Sequence, residues 1–260
     1  MSSELLNNIK DYWNRRPCNI RHSNKELGSK EYFDEVEHIR YFNEPHNYRF
    51  AEFHKWKNLK VLEIGCGIGT DAVNFARAGA DYTGIDISGE SIALAKRRFE
   101  VYNLNGRFIE CNAESIDSVL QENEKFDLIY SFGVIHHSPN PEKIIYNLPK
   151  YMHKASVAKV MLYAKHSWKN ILIEGGVEQP EAQSNCPQAE TYTIDDVKKM
   201  FAYARFSDVQ VEQDFIFKYN TEKYIQKEYV VEPWFESMPP EMFKIMEQNL
   251  GWHLLINAKL

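Results

Sequence analysis

The chain of 260 residues contains only four cysteines, and no two of them form a CxxC pair: Cys18, Cys66, Cys111 and Cys186. Structural zinc sites and disulfide frameworks need closely spaced or numerous cysteines. We therefore predict no metal site, no disulfide, and a reducing, cytoplasmic location. The fold must rest on a hydrophobic core, and a hydrophobic content of 43% is ordinary for a globular protein.

Long apolar runs and an excess of positive charge are also absent. No stretch approaches the roughly 18 apolar residues that a membrane span needs, and the opening MSSELLNNIKDYW carries acids and amides, unlike a secretion signal. The net charge is −6, whereas nucleic-acid binders usually carry a basic excess because phosphate contacts dominate their affinity. We expect a small molecule as the partner, with no membrane and no nucleic acid.

Predicted strands and helices alternate from residue 58 onward. Short apolar runs, typical of buried strands, occupy residues 60–64, 82–87, 107–111, 126–131 and 157–164. Helical patterns lie between them at residues 71–78, 88–102, 115–121 and 141–153, the second opened by Ser88 as an N-cap. This alternation predicts right-handed βαβ crossovers and a mainly parallel sheet, so the fold class is α/β.

The segments outside this alternation are predicted to form a cap and two insertions. Residues 1–57 are interpreted as a helical N-terminal cap or lid on a main domain of residues 58–260. Insertions are predicted at about residues 165–190, which contain glycines and prolines, and at about residues 219–250. A helix at 193–201, with Thr193 as its N-cap, and strands at 209–217 and 252–258 complete the chain.

The most informative segment joins the first strand to the first helix and reads Glu63-Ile64-Gly65-Cys66-Gly67-Ile68-Gly69-Thr70. Glycines at such a turn let the backbone approach a ligand closely, and the following helix supplies unpaired N–H groups. Dinucleotide-binding folds prefer the spacing GxGxxG, whereas this loop has GxGxG preceded by a carboxylate. Glu63 is an awkward neighbour for a pyrophosphate but a suitable one for an ammonium or sulfonium group.

This loop resembles motif I, ExGxGxG, of the class I S-adenosylmethionine-dependent methyltransferases. Asp86, at the end of the second strand, resembles the family's ribose-binding acid, and Ile87 would then pack on the adenine. Asn112-Ala113-Glu114 resembles the family's adenine-edge motif, which more often has Asp where this chain has Asn112. Residues 126–137 resemble the motif that closes the fourth strand, where the methyl group and its acceptor meet.

The resemblance implies a Rossmann-like, seven-stranded, mostly parallel sheet with helices on both faces and an antiparallel edge formed by the last two strands. It also implies S-adenosylmethionine as the cofactor. The residues that would bind this cofactor are Glu63, Gly65, Cys66, Gly67, Gly69, Asp86, Ile87, Asn112, Ala113, Glu114, Ser131 and Phe132.

Catalysis by methyl transfer from a sulfonium depends mainly on holding the acceptor, the methyl group and the sulfur in line. A base is needed only where the acceptor must lose a proton. His136 and His137 are the candidates, because histidine titrates near neutral pH. Either histidine has the alternative role of shaping the wall of the site.

Recognition of the acceptor is expected from segments outside the sheet. Tyr12, Trp13, Arg15 and Arg16 are candidates, since their arginines suit a carboxylate or a phosphate, unless they form only a solvated helix face. Further candidates are Tyr163, Tyr192 and the loop at residues 181–187.

The function predicted from the sequence is transfer of a methyl group from S-adenosylmethionine to an O or N atom of a small-molecule acceptor. One alternative is a methyltransferase acting on RNA or protein. Two others are a nicotinamide-dependent reductase and a non-catalytic module that only binds the cofactor. The acidic balance argues against RNA, and the loop spacing together with Glu63 argues against the reductase.

Overall fold

The computed structural model describes residues 2–177 and 186–260. Within this part of the chain, seven strands form one sheet: β1 (Lys60–Ile64), β2 (Asp81–Asp86), β3 (Arg107–Glu110), β4 (Phe126–Phe132), β5 (Met152–Tyr163), β6 (Asp208–Asp214) and β7 (His253–Lys259). The described α-helices are α1 (Ser2–Arg15), α2 (Lys30–Asn43), α3 (Pro45–Ala51), α4 (Thr70–Arg77), α5 (Gly89–Val101), α6 (Pro141–Asn147), α7 (Trp168–Glu174), α8 (Ile194–Tyr203), α9 (Thr221–Ile225), α10 (Pro233–Glu236) and α11 (Pro240–Leu250). None of these helices is long and apolar enough to cross a membrane.

The sheet has the strand order β3-β2-β1-β4-β5-β7-β6. Strands β1 to β5 pair in parallel, whereas β7 runs antiparallel to both β5 and β6. The central strands β1 and β4 are buried along most of their length, which explains why their sequences are continuous apolar runs. The predicted α/β fold, with a seven-stranded, mostly parallel sheet, is confirmed.

Hydrophobic side chains cover both faces of this sheet. On one face, α6 and α8 contribute Ile144, Val197 and Phe201 to the buried core. On the other face, Phe75 of α4 and Phe99 of α5 pack in a second core layer. Because both faces are covered, the ligand-accessible part of the sheet is reduced to the ends of its strands.

Local sequence signals set the starts of two central helices. The Ser88 hydroxyl accepts a hydrogen bond from the Ser91 N–H at 3.1 Å, and α5 begins after it. Thr193 accepts from the Asp196 N–H at 3.1 Å, while the Asp196 carboxylate accepts from the Thr193 N–H at 2.9 Å. This reciprocal pair is a capping box. Both predicted N-caps are confirmed.

Three element predictions are wrong in type or extent. The helix predicted at 141–153 ends at Asn147, because Pro149 lacks the N–H that an α-helix interior needs, and β5 already begins at Met152. The helix predicted at 115–121 is a 3-10 segment, Ala113–Ser118, broken by a non-helical residue. The strand predicted at 209–217 ends at Asp214, because the next residue has a φ of 74° and leaves the extended region.

The segments outside the sheet are mainly helical. Before β1, α1 packs against α5, and α2 packs against α3, α4 and α5. Helices α9, α10 and α11 occupy the second predicted insertion, and α11 packs against β6. In the first predicted insertion, α7 is described, whereas residues 178–185 lie outside the described residues. The division of the chain into a cap and a main domain stays a prediction.

Arg98 of α5 ties the helices before β1 to those of the sheet. Its side chain is completely buried, and it donates hydrogen bonds to the Thr70 hydroxyl at 2.8 Å and to the Phe33 carbonyl at 3.1 Å. It also pairs with the Glu37 carboxylate at 3.1 Å. One guanidinium therefore holds α2 against α4 and α5.

Replacement of Arg98 by Met is expected to lower the free energy of unfolding by about 3 kcal/mol, because the buried acceptors around it lose their donor. Urea denaturation monitored by circular dichroism measures the change. Arg97→Met is the matched control on the same helix, since the Arg97 side chain is 57% exposed and pairs with Glu100 at the surface. Its effect is expected within about 0.5 kcal/mol, and equal losses in the two variants would contradict the anchoring role.

Candidate active site

A cleft that is open to solvent lies at the carboxyl ends of the parallel strands. Ligands of open α/β sheets bind at this edge, because the loops that follow the strands converge there. The loops after β1, β2, β3 and β4 form one part of its wall, and other described lining residues come from α1, α2, α4, α7, β5 and β7. The motifs singled out in the sequence thus lie around one cavity.

The loop after β1 is shaped by glycines in the left-handed backbone region. Gly65 has a φ of 76°, and a Cβ there would lie 2.2 to 2.7 Å from side-chain carbons of Val134, so the backbone packs directly on the loop after β4. Gly67 has a φ of 51°, and a Cβ there would meet no atom within 4 Å. Gly67 therefore presents bare backbone to an open space large enough for a ligand.

Asp86 lies at the end of β2 beside this loop and lines the cavity. Its Oδ2 accepts a hydrogen bond from the Gly67 N–H, and its Oδ1 accepts one from the Ser88 N–H, both at 2.8 Å. Burial raises the pKa of this carboxyl to about 6, although these backbone hydrogen bonds act in the opposite direction. The carboxylate is fixed in orientation, and each oxygen retains capacity for a further donor.

Glu63, at the end of β1, lines the same cavity and is buried. The Tyr82 hydroxyl donates a hydrogen bond to its Oε2 at 2.5 Å. Burial raises the pKa of Glu63 well above its usual value, and the nearby Asp71 and Asp86 add to the effect. A cation bound beside this carboxyl would reverse that shift by stabilising the ionised form.

The remaining predicted cofactor residues fall into two groups. Cys66, Ile87, Asn112, Ala113 and Phe132 line the cavity together with Gly65 and Gly67. Glu114, Ser131 and Gly69 are not among the described lining residues and instead support the loops. Glu114 accepts from the Ser138 hydroxyl at 2.5 Å, Ser131 donates to the Ile64 carbonyl at 3.0 Å, and Gly69 is the N-cap of α4.

The structure places the two candidate bases differently. His137 lines the cavity, and its Nδ1 lies 2.6 Å from the Gln188 carbonyl oxygen. A carbonyl only accepts, so Nδ1 carries the proton and the lone pair lies on Nε2. Nε2 is buried and has no hydrogen-bond partner among the described residues. Burial lowers the pKa of His137 to about 4, so the ring is neutral at physiological pH.

His136 lies behind the described wall of the cavity rather than on it. It is fully buried, and its ring centroid is 3.6 Å from that of Tyr163 and 4.4 Å from that of His137. Neither ring nitrogen has a hydrogen-bond partner among the described residues. Burial lowers its pKa well below the usual value, and its contacts are those of a packing residue.

Only part of the predicted acceptor-binding set reaches the cavity. Trp13 lines it, with its ring centroid 5.2 Å from that of His137, and Tyr163 lines it as well. Tyr12, Arg15 and Arg16 are not among the described lining residues. Arg15 is exposed and donates to the Asp11 carbonyl at 3.1 Å on its own helix. The predicted anion-binding role thus has no support from the position of the Arg15 side chain.

The other predicted acceptor residues are placed elsewhere or not described. Tyr192 is buried in the core, where its hydroxyl donates to Glu190 at 3.3 Å, and it is not among the described lining residues. Of the predicted loop at 181–187, residues 181–185 lie outside the described residues.

Several cavity residues carry no motif that singles them out in the sequence. The Asp71 carboxylate accepts hydrogen bonds from the hydroxyls of Tyr41 and Tyr130 at 2.7 and 3.1 Å, and from the Asn47 amide at 3.1 Å. The one feature that marks Asp71 in the sequence is its position as an acid in the first turn of a helix. Arg40, Glu44, Lys169, Trp252 and His253 also line the cavity, and they come from distant parts of the chain.

Comparison with known proteins identifies proteins that resemble this chain in sequence and in fold. A sequence profile of the family described as methyltransferase domain matches residues 55–213, more than half of the chain. The ubiquinone biosynthesis O-methyltransferase of Glaesserella parasuis serovar 5 (strain SH0165) is 33% identical over 109 residues, which cover 41% of this chain and 43% of that protein. A protein of the same description from Coxiella burnetii (strain RSA 493 / Nine Mile phase I) is 33% identical over 91 residues, covering 35% of this chain and 38% of that protein. The matches span less than half of these curated relatives.

Solved structures share the fold at low identity. Magnesium protoporphyrin IX methyltransferase from Synechocystis PCC 6803 with bound SAH has a TM-score of 0.57 and 16% identity, covering 98% of this chain and 100% of that chain. A SAM-dependent methyltransferase from Thermotoga maritima, described as a possible histamine N-methyltransferase, has a TM-score of 0.54 and 16% identity, covering 86% and 94% of the two chains. At such identities the likeness concerns the fold alone.

The contact between the loops after β1 and β4 predicts that an alanine substitution costs more stability at Gly65 than at Gly67. Gly65→Ala is expected to destabilise the protein by about 2–4 kcal/mol, because the new methyl overlaps Val134 in addition to straining the backbone. Gly67→Ala is the control, since it carries a similar positive φ without any overlap, and it is expected to cost about 1 kcal/mol. Urea denaturation measures both values.

Adding Val134→Ala to Gly65→Ala is expected to restore part of the lost stability, because the overlapping methyls are then absent. If Gly65→Ala and Gly67→Ala proved equally stable, the close approach of the two loops would be contradicted.

Proposed function

Because the chain belongs to the family of class I S-adenosylmethionine-dependent methyltransferases, we propose that it transfers a methyl group to an oxygen atom of a small aromatic acceptor. One observation carries the proposal. A single cavity is lined by the cofactor motif residues Gly67 and Asp86, by aromatic side chains, and by His137, whose buried Nε2 has no hydrogen-bond partner among the described residues. Membership of this family removes the nicotinamide-dependent reductase from consideration.

The described residues fit the cofactor at the ribose and adenine end. The Asp86 carboxylate is fixed by two backbone N–H groups with its remaining lone pairs available, which suits the two ribose hydroxyls. The open space at Gly67 admits the ligand against bare backbone. Ile87 and Ala113 provide apolar surface for the adenine in the same wall. When bound, the cofactor supplies an electrophilic methyl group on a positively charged sulfur, and Glu63 is the carboxyl placed to stabilise such charge.

Asn112 can hydrogen-bond the adenine edge, although its amide offers different groups from the aspartate that is more usual in the family. Its side-chain oxygen already accepts a hydrogen bond from the Glu114 N–H at 3.0 Å, as the N-cap of the 3-10 segment. An amide oxygen has a second lone pair, and the amide NH₂ offers two donors that an aspartate lacks. We infer that Asn112 hydrogen-bonds the adenine edge through this amide group.

We call the aromatic part of this cavity the acceptor compartment. Its described walls include the rings of Phe132, Tyr163, Phe215 and Trp252, and the Tyr163 and Trp252 centroids are 4.2 Å apart in a stacked arrangement. Aromatic walls with a few polar groups are typical of small-molecule pockets. The curated relatives described as O-methyltransferases favour oxygen over nitrogen as the methylated atom. A macromolecular acceptor remains the alternative.

Cationic side chains in the cavity support an acceptor with an anionic group, but they are not the predicted Arg15 and Arg16. Arg40 and Lys169 line the compartment; the Arg40 guanidinium lies 5.0 Å from the Phe132 ring centroid, and the Lys169 amine lies 5.5 Å from that of Trp252. Arg40 also forms an ion pair with Glu44. We propose a phenolic acid as the acceptor class, with its carboxylate toward these cations and its hydroxyl toward His137.

His137 is the residue that would contact the reacting hydroxyl. Its Nε2 lone pair accepts a hydrogen bond from the acceptor O–H and thereby directs an oxygen lone pair toward the methyl group. With a pKa lowered to about 4, the free imidazole is a weak base, so orientation of the hydroxyl contributes first. An acceptor carboxylate or developing charge nearby would raise this pKa and favour proton uptake during transfer.

The affinity for S-adenosylmethionine is expected to depend on the ionisation of Asp86. Because the folded-state pKa is raised to about 6, the ionised carboxylate that binds the ribose hydroxyls is lost as the pH falls through this value. The Kd should therefore rise by up to about tenfold per pH unit below about pH 6. Asp86→Asn should weaken binding by more than about tenfold at neutral pH and remove this pH dependence.

Isothermal titration calorimetry measures both effects, and unchanged affinity in Asp86→Asn would contradict the cofactor assignment. In the cofactor-free protein the same shift acts on stability. The raised pKa favours the folded state while Asp86 is protonated, so its contribution is full below the unfolded pKa of about 3.9 and is lost as the pH rises through about 6.

Substitutions of His136 and His137 are expected to differ in their effect on turnover. With a panel of hydroxybenzoates as acceptors, His137→Ala should lower kcat by about a hundredfold or more while the Kd for S-adenosylmethionine stays unchanged. His136→Phe should retain turnover, because neither nitrogen of His136 has a hydrogen-bond partner to lose among the described residues. Formation of S-adenosylhomocysteine measures the rate.

Phenols without a carboxylate are the acceptor controls, and they should be poorer substrates if Arg40 and Lys169 bind an anion. A larger loss in His136→Phe than in His137→Ala would contradict the assignment of His137.

A further inference from the structure

Three metal-ligating side chains meet at the inner end of the acceptor compartment. Glu44 follows α2, His46 belongs to α3, and His253 is the first residue of β7. One ligand atom from each lies within 4.8 Å of the other two, and the two histidines are buried. Glu44 and His253 also line the cavity. The methyl-transfer proposal assigns no task to this trio.

We propose that Glu44, His46 and His253 bind one divalent metal ion, with zinc preferred, and leave a coordination position open toward the acceptor compartment. Two imidazoles and one carboxylate form the donor set of many three-ligand zinc sites that keep a fourth position for water or substrate. A structural site would have a fourth protein ligand, and the described residues provide three in this cluster. The open position follows from the cavity on that side.

The two histidines already approach each other as ligands would. His46 Nε2 lies 2.7 Å from His253 Nδ1, a hydrogen-bond distance that requires one of the two nitrogens to be unprotonated. Two nitrogens bound to one tetrahedral zinc lie about 3.3 Å apart, so the rings need to separate by about 0.6 Å and to turn toward the ion, while the Glu44 carboxylate, whose ligand atom lies within 4.8 Å of theirs, moves closer. His46 stacks on Phe215 at 4.8 Å between ring centroids, which holds its plane while permitting such a shift.

The neighbouring charged side chains affect how tightly the site would bind an ion. Arg40 pairs with Glu44 and, with Lys169, places positive charge near the trio, whereas the negative charge of Asp71 acts on Arg40 and partly offsets it. The ion therefore has to share the Glu44 carboxylate with a guanidinium. Such an outer group orients a ligating carboxylate, whereas the positive charges of Arg40 and Lys169 repel the ion and predict moderate rather than tight binding.

Metal binding itself does not depend on the methyltransferase proposal, whereas any effect of the ion on the acceptor rests on it. A hydroxyl bound at the open position would become more acidic, because a zinc ion stabilises the oxyanion. That role would complement the weak basicity of His137.

The first test is titration of the chelator-treated full chain with Co²⁺, which reports its coordination by visible ligand-field bands. We expect bands of an ordered site that Zn²⁺ displaces, and a rise in the melting temperature with Zn²⁺, since a ligand that binds the folded state stabilises it. Absence of Co²⁺ and Zn²⁺ binding would overturn the proposal and leave a simple hydrogen-bonded histidine pair.

Variants then locate the ion. His46→Ala and His253→Ala should each weaken Co²⁺ binding by more than about a hundredfold, beyond the effect of losing an outer-shell group. Glu44→Gln, which keeps the size of the side chain, provides a third variant should a histidine variant fail to fold. His54→Ala, at an exposed histidine outside the cluster, is the matched control and should bind as the unsubstituted protein does.

Binding that survives in all three cluster variants would overturn the site. Calorimetry with S-adenosylmethionine on the same samples separates this result from the proposed function. Cofactor binding without metal binding removes only the metal site, and metal binding without cofactor binding removes only the methyltransferase proposal.

Discussion

The hydrogen bonds between the Asp86 carboxylate and the backbone of two loops are the constraint on which the rest of the site depends. They join the glycine loop after β1 to the turn that starts α5, and they hold Gly67 with its bare backbone facing the cavity. The carboxylate is partly buried, and the cost of this burial appears in its raised pKa. In the proposed function, the paired ribose hydroxyls would replace the solvation that the carboxylate has lost.

Much of the fold was predictable because its signals are local. The alternation of apolar runs and helical patterns follows from burial on both faces of a parallel sheet, and the caps at Ser88 and Thr193 act within three residues. The predicted ends of elements were wrong where a single residue stops a strand or helix that the neighbouring sequence would continue. Phe215 ends β6 by adopting a positive φ, and Pro149 stops the helix before β5. Periodicity cannot register either event, since both residues fit the apolar pattern.

The proposed cofactor half of the cavity was more predictable than the proposed acceptor half, for a related reason. Its residues follow strand ends in a fixed order, so their positions in sequence map directly onto one edge of the sheet. The proposed acceptor compartment instead combines residues of β4 and β5 with residues of α2, α7 and β7, which meet only through the tertiary fold. Arg15 and Arg16 form a local cluster of charge in the sequence, whereas Arg40 is far in sequence from Lys169 and Trp252, with which it lines the cavity. The Glu44–His46–His253 trio spans more than 200 positions, beyond any local pattern.

The orientation of His137 has an evolutionary consequence. Its ring is held by the carbonyl of Gln188, and the neighbouring Glu190 N–H donates to the His136 carbonyl at 3.0 Å. Both contacts use backbone atoms, so the side chain at position 188 is free to change among related sequences without disturbing the tautomer. Proline alone is excluded at position 190, because it has no N–H to donate. A search for residues that co-vary with His137 would therefore miss the group that sets its chemistry.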